Sequence, residues 1–169
     1  MSYLIDTNTL IEAKNRYYPF EIVPGFWEFI KTSIQNGTIF MTKMVYNELR
    51  QGDDDLSDWI GTEILRDNLF DDGEQNIQRQ YRLMANEISN GVISQNFRQN
   101  YIDEFLAKAD LWLIATAKVN GFTVVTNENF IRDLQPYKVK IPNICAYYEV
   151  ACITPFEMLQ RLNMRLVLQ

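Results

Sequence analysis

Acidic residues that follow apolar segments are the residues whose type and position predict chemistry in this chain. Asp6 directly follows a short apolar segment, residues 3–5, that has the character of a buried β-strand. A carboxylate at the C-terminal end of a strand points into the crevice where open α/β sheets bind ligands. A structural role is the alternative, because Asp6 or Thr7 can also cap the helix expected near Thr9.

Three further acids recur at comparable positions and favour a functional role for Asp6. Glu48 lies in the helix predicted after the second strand, Asp110 lies inside a later helix, and Glu128 follows the third strand. Asp110 shares its predicted helix face with apolar residues at i−4, i+3 and i+7. A lone buried carboxylate costs several kcal/mol unless it is paired, neutralised or bound to metal. Carboxylates suit Mg²⁺ or Mn²⁺, so these acids predict a site for one of those ions.

Ordinary structural roles stay open for two of these acids. Asp110 has Lys108 and Lys118 nearby in sequence as ion-pair partners. Glu48 near Arg50 is also compatible with a solvated glutamate on a helix surface.

Missing residues exclude whole classes of chemistry. The chain has no histidine, which excludes Ser-His-Asp and Cys-His mechanisms and a zinc site with histidine ligands. Its seven glycines form neither a dinucleotide-binding nor a P-loop motif, and no DxDx[TV] motif indicates a phosphatase with a phospho-aspartate. Cys145 and Cys152 are expected to be small hydrophobic residues rather than ligands or a disulfide.

Composition and charge describe one domain spanning residues 1–169. A chain of this length with 47% hydrophobic residues can bury a substantial core. No apolar run approaches the roughly 20 residues that span a bilayer, and we expect a cytoplasmic protein. The net charge of −6 repels nucleic acid at long range, so binding to nucleic acid requires local cations.

Alternating strand and helix patterns predict an α/β fold with a parallel sheet. Predicted strands cover residues 3–5, 39–41, 122–125 and 141–144. Predicted helices cover residues 9–14, 26–34, 42–49, 56–84 with an interruption near 71–73, 103–119, and a last helix opened by Thr154-Pro155.

A basic and aromatic segment lies close to Asp6 in sequence. Lys14, Arg16 and Tyr17 suit pairing with a nucleic-acid backbone and stacking on bases, and Tyr18 and Phe20 follow them. The alternative is a solvated loop whose aromatic rings pack on the core. The acidic run 53–55 is interpreted as a helix N-terminus, where acids are favourable, rather than as a metal site.

Four segments together resemble one known family. They are Leu4-Ile5-Asp6-Thr7-Asn8, Val45-Tyr46-Asn47-Glu48-Leu49, Ala109-Asp110-Leu111-Trp112-Leu113-Ile114-Ala115 and Val124-Val125-Thr126-Asn127-Glu128. They resemble the PIN domain and the PIN-like nuclease fold of VapC-type toxins, over residues 3 to about 162. The segments Pro24-Gly25-Phe26-Trp27, Gly52-Asp53-Asp54 and Ile141-Pro142-Asn143 are most similar to an uncharacterised branch of PIN-like bacterial proteins.

The resemblance implies a three-layer α/β/α fold with a central, mainly parallel sheet. It implies that Asp6, Glu48 and Asp110 bind Mg²⁺ or Mn²⁺ as a catalytic triad. Glu128 stands where family members more often have aspartate, so it contacts the metal either directly or through water. The polar positions Asn8 and Thr126 would orient the carboxylates.

The function implied is that of a metal-dependent endoribonuclease, the toxin of a toxin–antitoxin pair. Its partners would be an RNA substrate and a protein antitoxin, and a homodimer is a possible assembly because many members of the family form one. Two alternatives stay open: a PIN-like binding or scaffold module with weak catalysis, and a nuclease that acts on DNA.

Overall fold

Four short parallel strands form the central sheet of the computed structural model, which describes residues 2–132 and 138–167. The strands are β1 (Tyr3–Ile5), β2 (Ile39–Phe40), β3 (Thr123–Val125) and β4 (Cys152–Ile153). Their order across the sheet is β2-β1-β3-β4, and each neighbouring pair is parallel. The predicted α/β class is confirmed, whereas the single domain spanning 1–169 stays a prediction.

Helices cover the sheet in a three-layer α/β/α arrangement. The helices are α1 (Thr7–Glu12), α2 (Pro24–Gln35), α3 (Lys43–Arg50), α4 (Asp55–Glu63), α5 (Gln75–Asn90), α6 (Gln99–Leu106), α7 (Asp110–Asn120), α8 (Ile141–Tyr147) and α9 (Pro155–Arg161). One π-helical turn (Ala13–Tyr17) continues α1, and short 3₁₀ turns occupy Arg66–Asn68 and Val92–Asn96. Within the described ranges, no helix is both long and apolar enough to cross a membrane.

Side-chain caps fix the start of several helices. The Thr42 hydroxyl accepts the Val45 N–H at the start of α3. Thr154 begins α9 with a capping box, in which its side chain and that of Glu157 bond to each other's backbone N–H. Asp54 accepts the N–H of Ser57, so the acidic run 53–55 does form a helix N-terminus. These caps explain why the helix starts could be predicted from sequence.

The predicted helix 103–119 is wrong as one element. It consists of two helices, α6 and α7, separated by residues 107–109. Asp110 is therefore the first residue of α7 and does not lie inside a helix. At the break, the Ala109 N–H donates to the side chain of Glu48. This bond satisfies a backbone group that has no partner within a helix.

The predicted strand 141–144 is also wrong, since these residues begin α8. Pro142 lies in the first turn of that helix, where a proline has no N–H to leave unbonded. The Asn143 side chain bonds both the N–H and the carbonyl of Ile131, which holds the helix start against the preceding loop. The fourth strand is instead β4, which pairs with Val124 and Val125.

The register of β1 and β3 determines where the acidic site lies. Ile5 pairs with Val125, and the Asp6 N–H then donates to the Val125 carbonyl at 3.0 Å. Thr9 in α1 donates its hydroxyl to the same carbonyl, also at 3.0 Å. Because both strands end at this edge, the residues that follow them, Asp6 and Thr126, lie side by side.

Gly121 provides a test of the connection between α7 and β3. It ends α7 with a φ of 67°, in the left-handed region, and a Cβ built there meets no atom within 4 Å. We expect Gly121→Ala to lower the free energy of unfolding by about 1 kcal/mol through backbone strain alone. Gly121→Asn should cost clearly less, because asparagine tolerates this conformation. Urea unfolding of both variants checks the prediction, and equal losses would contradict it.

Candidate active site

Asp6 is the most buried carboxylate of the site, with 2% of its surface exposed. It occupies the position before α1, but its side chain makes no capping bond to that helix. The carboxylate accepts instead a hydrogen bond from the Thr126 hydroxyl at 2.9 Å. The main hydrogen bond of the Asp6 side chain therefore goes to Thr126 and not to α1, and a smaller interaction with the Asn8 N–H is what remains of the helix-cap alternative.

Burial changes the acidity of Asp6. Loss of solvent raises the pKa of its carboxyl to about 6, although the hydrogen bond from Thr126 partly opposes the shift. The negative charges of Glu128 and Glu48 raise the pKa further. Asn8 is exposed, and its backbone N–H favours the ionised form of Asp6, whereas the resemblance implied a role for its side chain.

Glu48 is held by two residues that are distant in sequence. One carboxylate oxygen accepts the Ala109 N–H at 3.0 Å, and the other accepts the hydroxyl of Thr7. Arg50 contacts Ser57, to which it donates at 3.1 Å, so it does not serve as the partner of Glu48. The solvated glutamate considered from the sequence is thus not observed, because Glu48 links α3 to the starts of α1 and α7.

Asp110 carries the larger pKa shift of the two aspartates. Burial raises the pKa of its carboxyl to about 7, and the charges of Asp6, Glu128 and Glu48 raise it further, in that order. Lys108 opposes the shift only weakly.

The two lysines considered as ion-pair partners of Asp110 bind elsewhere. Lys108 pairs with Glu104 at 2.9 Å, and Lys118 donates to the Tyr148 carbonyl at 2.8 Å. In the described part of the chain, Asp110 forms no salt bridge.

Glu128 has partners for both of its carboxylate oxygens. One oxygen accepts from the ammonium of Lys140 at 2.9 Å, and the other accepts the Ile141 N–H at 2.8 Å. Its own N–H donates to the Thr126 hydroxyl at 3.2 Å. Glu128 therefore anchors the start of α8 while its charge still acts on Asp6 and Asp110.

The four acids thus lie close enough for their charges to raise the pKa values of Asp6 and Asp110, but the described side chains are not arranged as a complete metal site. Among residues 2–132 and 138–167, no three acidic or cysteine side chains are arranged as a metal-ligand set. Neither Asp6 nor Asp110 forms a salt bridge within the same ranges. Convergence of the predicted triad on one cation stays a prediction.

Two cavities meet at the pair formed by Glu128 and Lys140. The smaller has a volume of about 80 Å³ and is lined by Asp110 together with Lys108 and Lys138. The larger is an open cleft of about 570 Å³ on the other side, bordered by Asn8, Arg16 and Tyr17 among others. Glu128 and Lys140 line both, so they form the wall between the small cavity and the cleft.

The basic and aromatic segment divides into two parts. Lys14 lies in salt bridges to Asp54 at 2.8 Å and to Asp55 at 2.7 Å, away from the cleft. Arg16 has a side chain that is 67% exposed, and it pairs with Glu12.

The aromatic rings of this segment divide in the same way. Tyr17 is half-exposed and borders the cleft, whereas Tyr18 stacks on Phe26 and Phe20 stacks on Trp27. Tyr18 and Phe20 therefore pack on the core, whereas Arg16 and Tyr17 line the cleft.

Sequence reasoning missed Thr7, Lys138 and Lys140 as residues of the site. No pattern near Thr7 in the sequence indicates its role, because its hydroxyl donates to Glu48, which lies 41 positions away. Lys138 and Lys140 alternate along an extended segment, so both side chains point to one face. That alternation is the one sequence signal that indicates a basic face.

Comparison with known proteins places the chain in a family and identifies its fold. The model of the family described as "Domain of unknown function (DUF4411)" matches residues 3–166. No curated protein matches the chain in sequence. A crystal structure of VapBC2 from Rickettsia felis bound to a DNA fragment from their promoter contains a similar chain, with a TM-score of 0.50 and 16% identity. The similarity covers 91% of this chain and 98% of that one, and it confirms the predicted PIN-like fold.

The raised pKa values of Asp6 and Asp110 predict how stability depends on pH in metal-free protein. Unfolding lets both carboxyls ionise near their ordinary pKa of 3.8, whereas the folded protein holds the protons up to about 6 and 7. Their contribution to stability is therefore present below about pH 4 and is lost as the pH rises to 7. Asp110→Asn should stabilise the protein at pH 8 by on the order of 2 kcal/mol and change little at pH 4.

Urea unfolding in a chelator at both pH values measures this difference. The matched control is Asp58→Asn, because Asp58 is an exposed aspartate on α4. A similar effect of Asp110→Asn at the two pH values would contradict the electrostatic account of the site.

Proposed function

Because the chain belongs to the DUF4411 family and has the PIN-like fold, we propose that it is a divalent-metal-dependent endoribonuclease. One observation carries the proposal: Asp6 and Asp110 are sheltered carboxylates with raised pKa values and no salt bridge in the described ranges. Such groups are costly unless a proton or a cation compensates them. A carboxylate cluster of this kind at strand ends is well suited to a metal-dependent hydrolase.

The donor set fits Mg²⁺ or Mn²⁺ chemically. Asp6, Glu48 and Asp110 would hold the ion, since all three offer oxygen ligands and Glu48 keeps free lone pairs beside its two hydrogen bonds. When bound, such an ion lowers the pKa of a water molecule and stabilises negative charge on a phosphate. Cation binding would also offset the burial and the repulsion that raise the pKa values of the two aspartates.

The surrounding residues would position the carboxylates. Thr126 donates to one oxygen of Asp6, and the carboxylate keeps free lone pairs for a ligand. Thr7 and the Ala109 N–H hold both oxygens of Glu48, which fixes the rotamer of a long side chain. With no histidine in the chain, proton transfer in this mechanism falls to carboxylates and water.

RNA binding by an acidic chain depends on local cations. Lys108 and Lys138 line the cavity beside Asp110, where they would contact phosphates next to the scissile bond. Arg16 and Tyr17 border the open cleft of about 570 Å³, where Tyr17 would provide a stacking surface for a base. These contacts favour single-stranded RNA as the substrate.

A protein antitoxin is the partner that the fold comparison suggests. The similar chain belongs to VapBC2, and we extend that assembly to this protein only as a proposal. Tyr17 and Phe156 are both about half-exposed and touch each other beside the cleft, with their ring centroids 5.5 Å apart. An antitoxin that covers these rings would also block the cleft. A homodimer and a cytoplasmic location stay proposals on the same basis.

Cleavage of RNA by purified protein is the direct test. Wild type should cut single-stranded RNA only when Mg²⁺ or Mn²⁺ is present. Asp6→Asn should lower the rate on the order of 10³-fold, because it removes a charge that holds the cation but keeps the side-chain volume. Thr126→Val should lower the rate about 10- to 100-fold, since it removes the hydrogen bond that positions Asp6.

The control variant is Asp58→Asn, which changes the same residue type at an exposed position on α4. Circular dichroism and melting curves establish that each variant is folded. Equal cleavage by wild type and Asp6→Asn would show that another site or a contaminant cuts the RNA. Metal-dependent melting without any cleavage of RNA or DNA would favour the binding module instead.

Two lysines make a matched pair for the RNA contact. Lys138→Ala should raise KM for RNA and reduce the slope of log affinity against log salt by roughly 0.7, the value for one contact to a single strand. Lys14→Ala should change neither quantity, because Lys14 is bound to Asp54 and Asp55 away from the cleft. Fluorescence anisotropy with labelled RNA at several salt concentrations measures both. An equal loss in the two variants would contradict this assignment.

A further inference from the structure

The fourth acidic position differs from the other three in how its charge is compensated. Lys140 places its ammonium 2.9 Å from one oxygen of Glu128, and the Ile141 N–H lies 2.8 Å from the other. The pair is sheltered, since 18% of the Glu128 side chain and 29% of the Lys140 side chain are exposed. The chain thus supplies its own cation beside one of the four carboxylates.

We infer that the ammonium of Lys140 takes the place beside Glu128 that a second divalent cation would otherwise occupy, so that the protein binds one divalent ion. This inference rests on the proposed function, because it takes the first ion to be held by Asp6, Glu48 and Asp110. In sites with two ions, the second cation stabilises charge on the attacking or leaving oxygen. Lys140 supplies positive charge at the same edge of the sheet and, unlike a bound ion, cannot dissociate into solvent.

The position of Lys140 supports this role. Lys140, Glu128 and Asp110 line the same small cavity, and Lys140 also lines the open cleft. A phosphate that approaches the acids from the cleft therefore meets the ammonium at the wall between the two cavities. Lys140 is accordingly a positioning and charge-compensating residue.

Hydrogen bonds around Glu128 and Lys140 hold this ion pair in place. Glu128 receives a hydrogen bond from the first N–H of α8, and Lys140 is the residue directly before that helix. Asn143 bonds both backbone groups of Ile131, at 3.0 and 2.8 Å, which ties the loop after Glu128 to the same helix. Each Glu128 oxygen keeps a second lone pair, but a divalent ion that used it would lie close to the ammonium of Lys140, whose positive charge repels it.

Counting bound Mn²⁺ tests the inference without relying on activity. Isothermal titration calorimetry should give one Mn²⁺ per wild-type chain, and electron paramagnetic resonance should show an isolated ion. Lys140→Met keeps most of the side-chain volume but removes the charge, so Glu128 becomes available. We expect this variant to bind a second Mn²⁺ and to show the spin-coupled spectrum of a close ion pair. The double variant Lys140→Met/Glu128→Gln should return to one ion.

Matched variants control for folding and for general loss of charge. Lys43→Met removes an exposed lysine that pairs with Asp71, and it should leave the count at one. Lys140→Gln should behave like Lys140→Met, which keeps the test valid if the first variant is unstable. Asp110→Asn should weaken the first ion at least 10-fold.

The outcomes separate the inference from the function that it assumes. Two ions on wild type, or one ion on both Lys140 variants, would overturn the role of Lys140 while the proposed metal-dependent function stands. A wild type that binds no Mn²⁺ would overturn both. One ion on wild type and two on the Lys140 variants, reduced to one by Glu128→Gln, is the pattern that establishes the inference.

Discussion

The rest of the site depends on one constraint, the parallel pairing of β1 with β3. Ile5 and Val125 are partners in register, and the Asp6 N–H continues the ladder to the Val125 carbonyl. The next residue of each strand must then leave the sheet at the same edge, which places the Thr126 hydroxyl against the Asp6 carboxylate. A shift of one residue would turn every side chain of the strand to the other face. The register therefore also requires a carboxylate to be 2% exposed.

That buried charge organises the elements around it. The starts of α1 and α7 approach the same edge, and Glu48 of α3 joins them through Thr7 and the Ala109 N–H. Burial raises the pKa of Asp110 to about 7, and the charges of Asp6, Glu128 and Glu48 add to the shift. Holding these carboxylates together lowers stability at neutral pH, but it creates a region of negative potential that a bound cation can neutralise.

Local patterns in the sequence were sufficient for some of this structure and not for the rest. Asp6 at a strand end and the helix caps at Thr42 and Thr154 follow from residues adjacent in sequence. The break at 107–109 does not, because no glycine or proline marks it and its stabilising bond reaches Glu48, about sixty residues away. The helix at 141–147 was predicted as a strand because a short apolar run is ambiguous between the two structures, and the contact with Glu128 decides between them. Orientation of the acids therefore depends on tertiary contacts that spacing alone cannot reveal.

The net charge of −6 opposes binding of a polyanion at long range, but distance decides which charges matter. At physiological ionic strength, fields from exposed charges are screened beyond roughly 8 Å, so a bound strand responds mainly to groups that line the cleft. Lys108 and Lys140 each pair with a glutamate, which holds their ammonium groups at fixed positions on the cavity wall. The paired glutamates partly cancel the charge of these two lysines at long range. A phosphate in direct contact with either ammonium group would still meet its positive charge. Under the proposed function, association with RNA should be slow at low salt, where repulsion by the whole chain is strongest, while contacts within the cleft would set the stability of the complex.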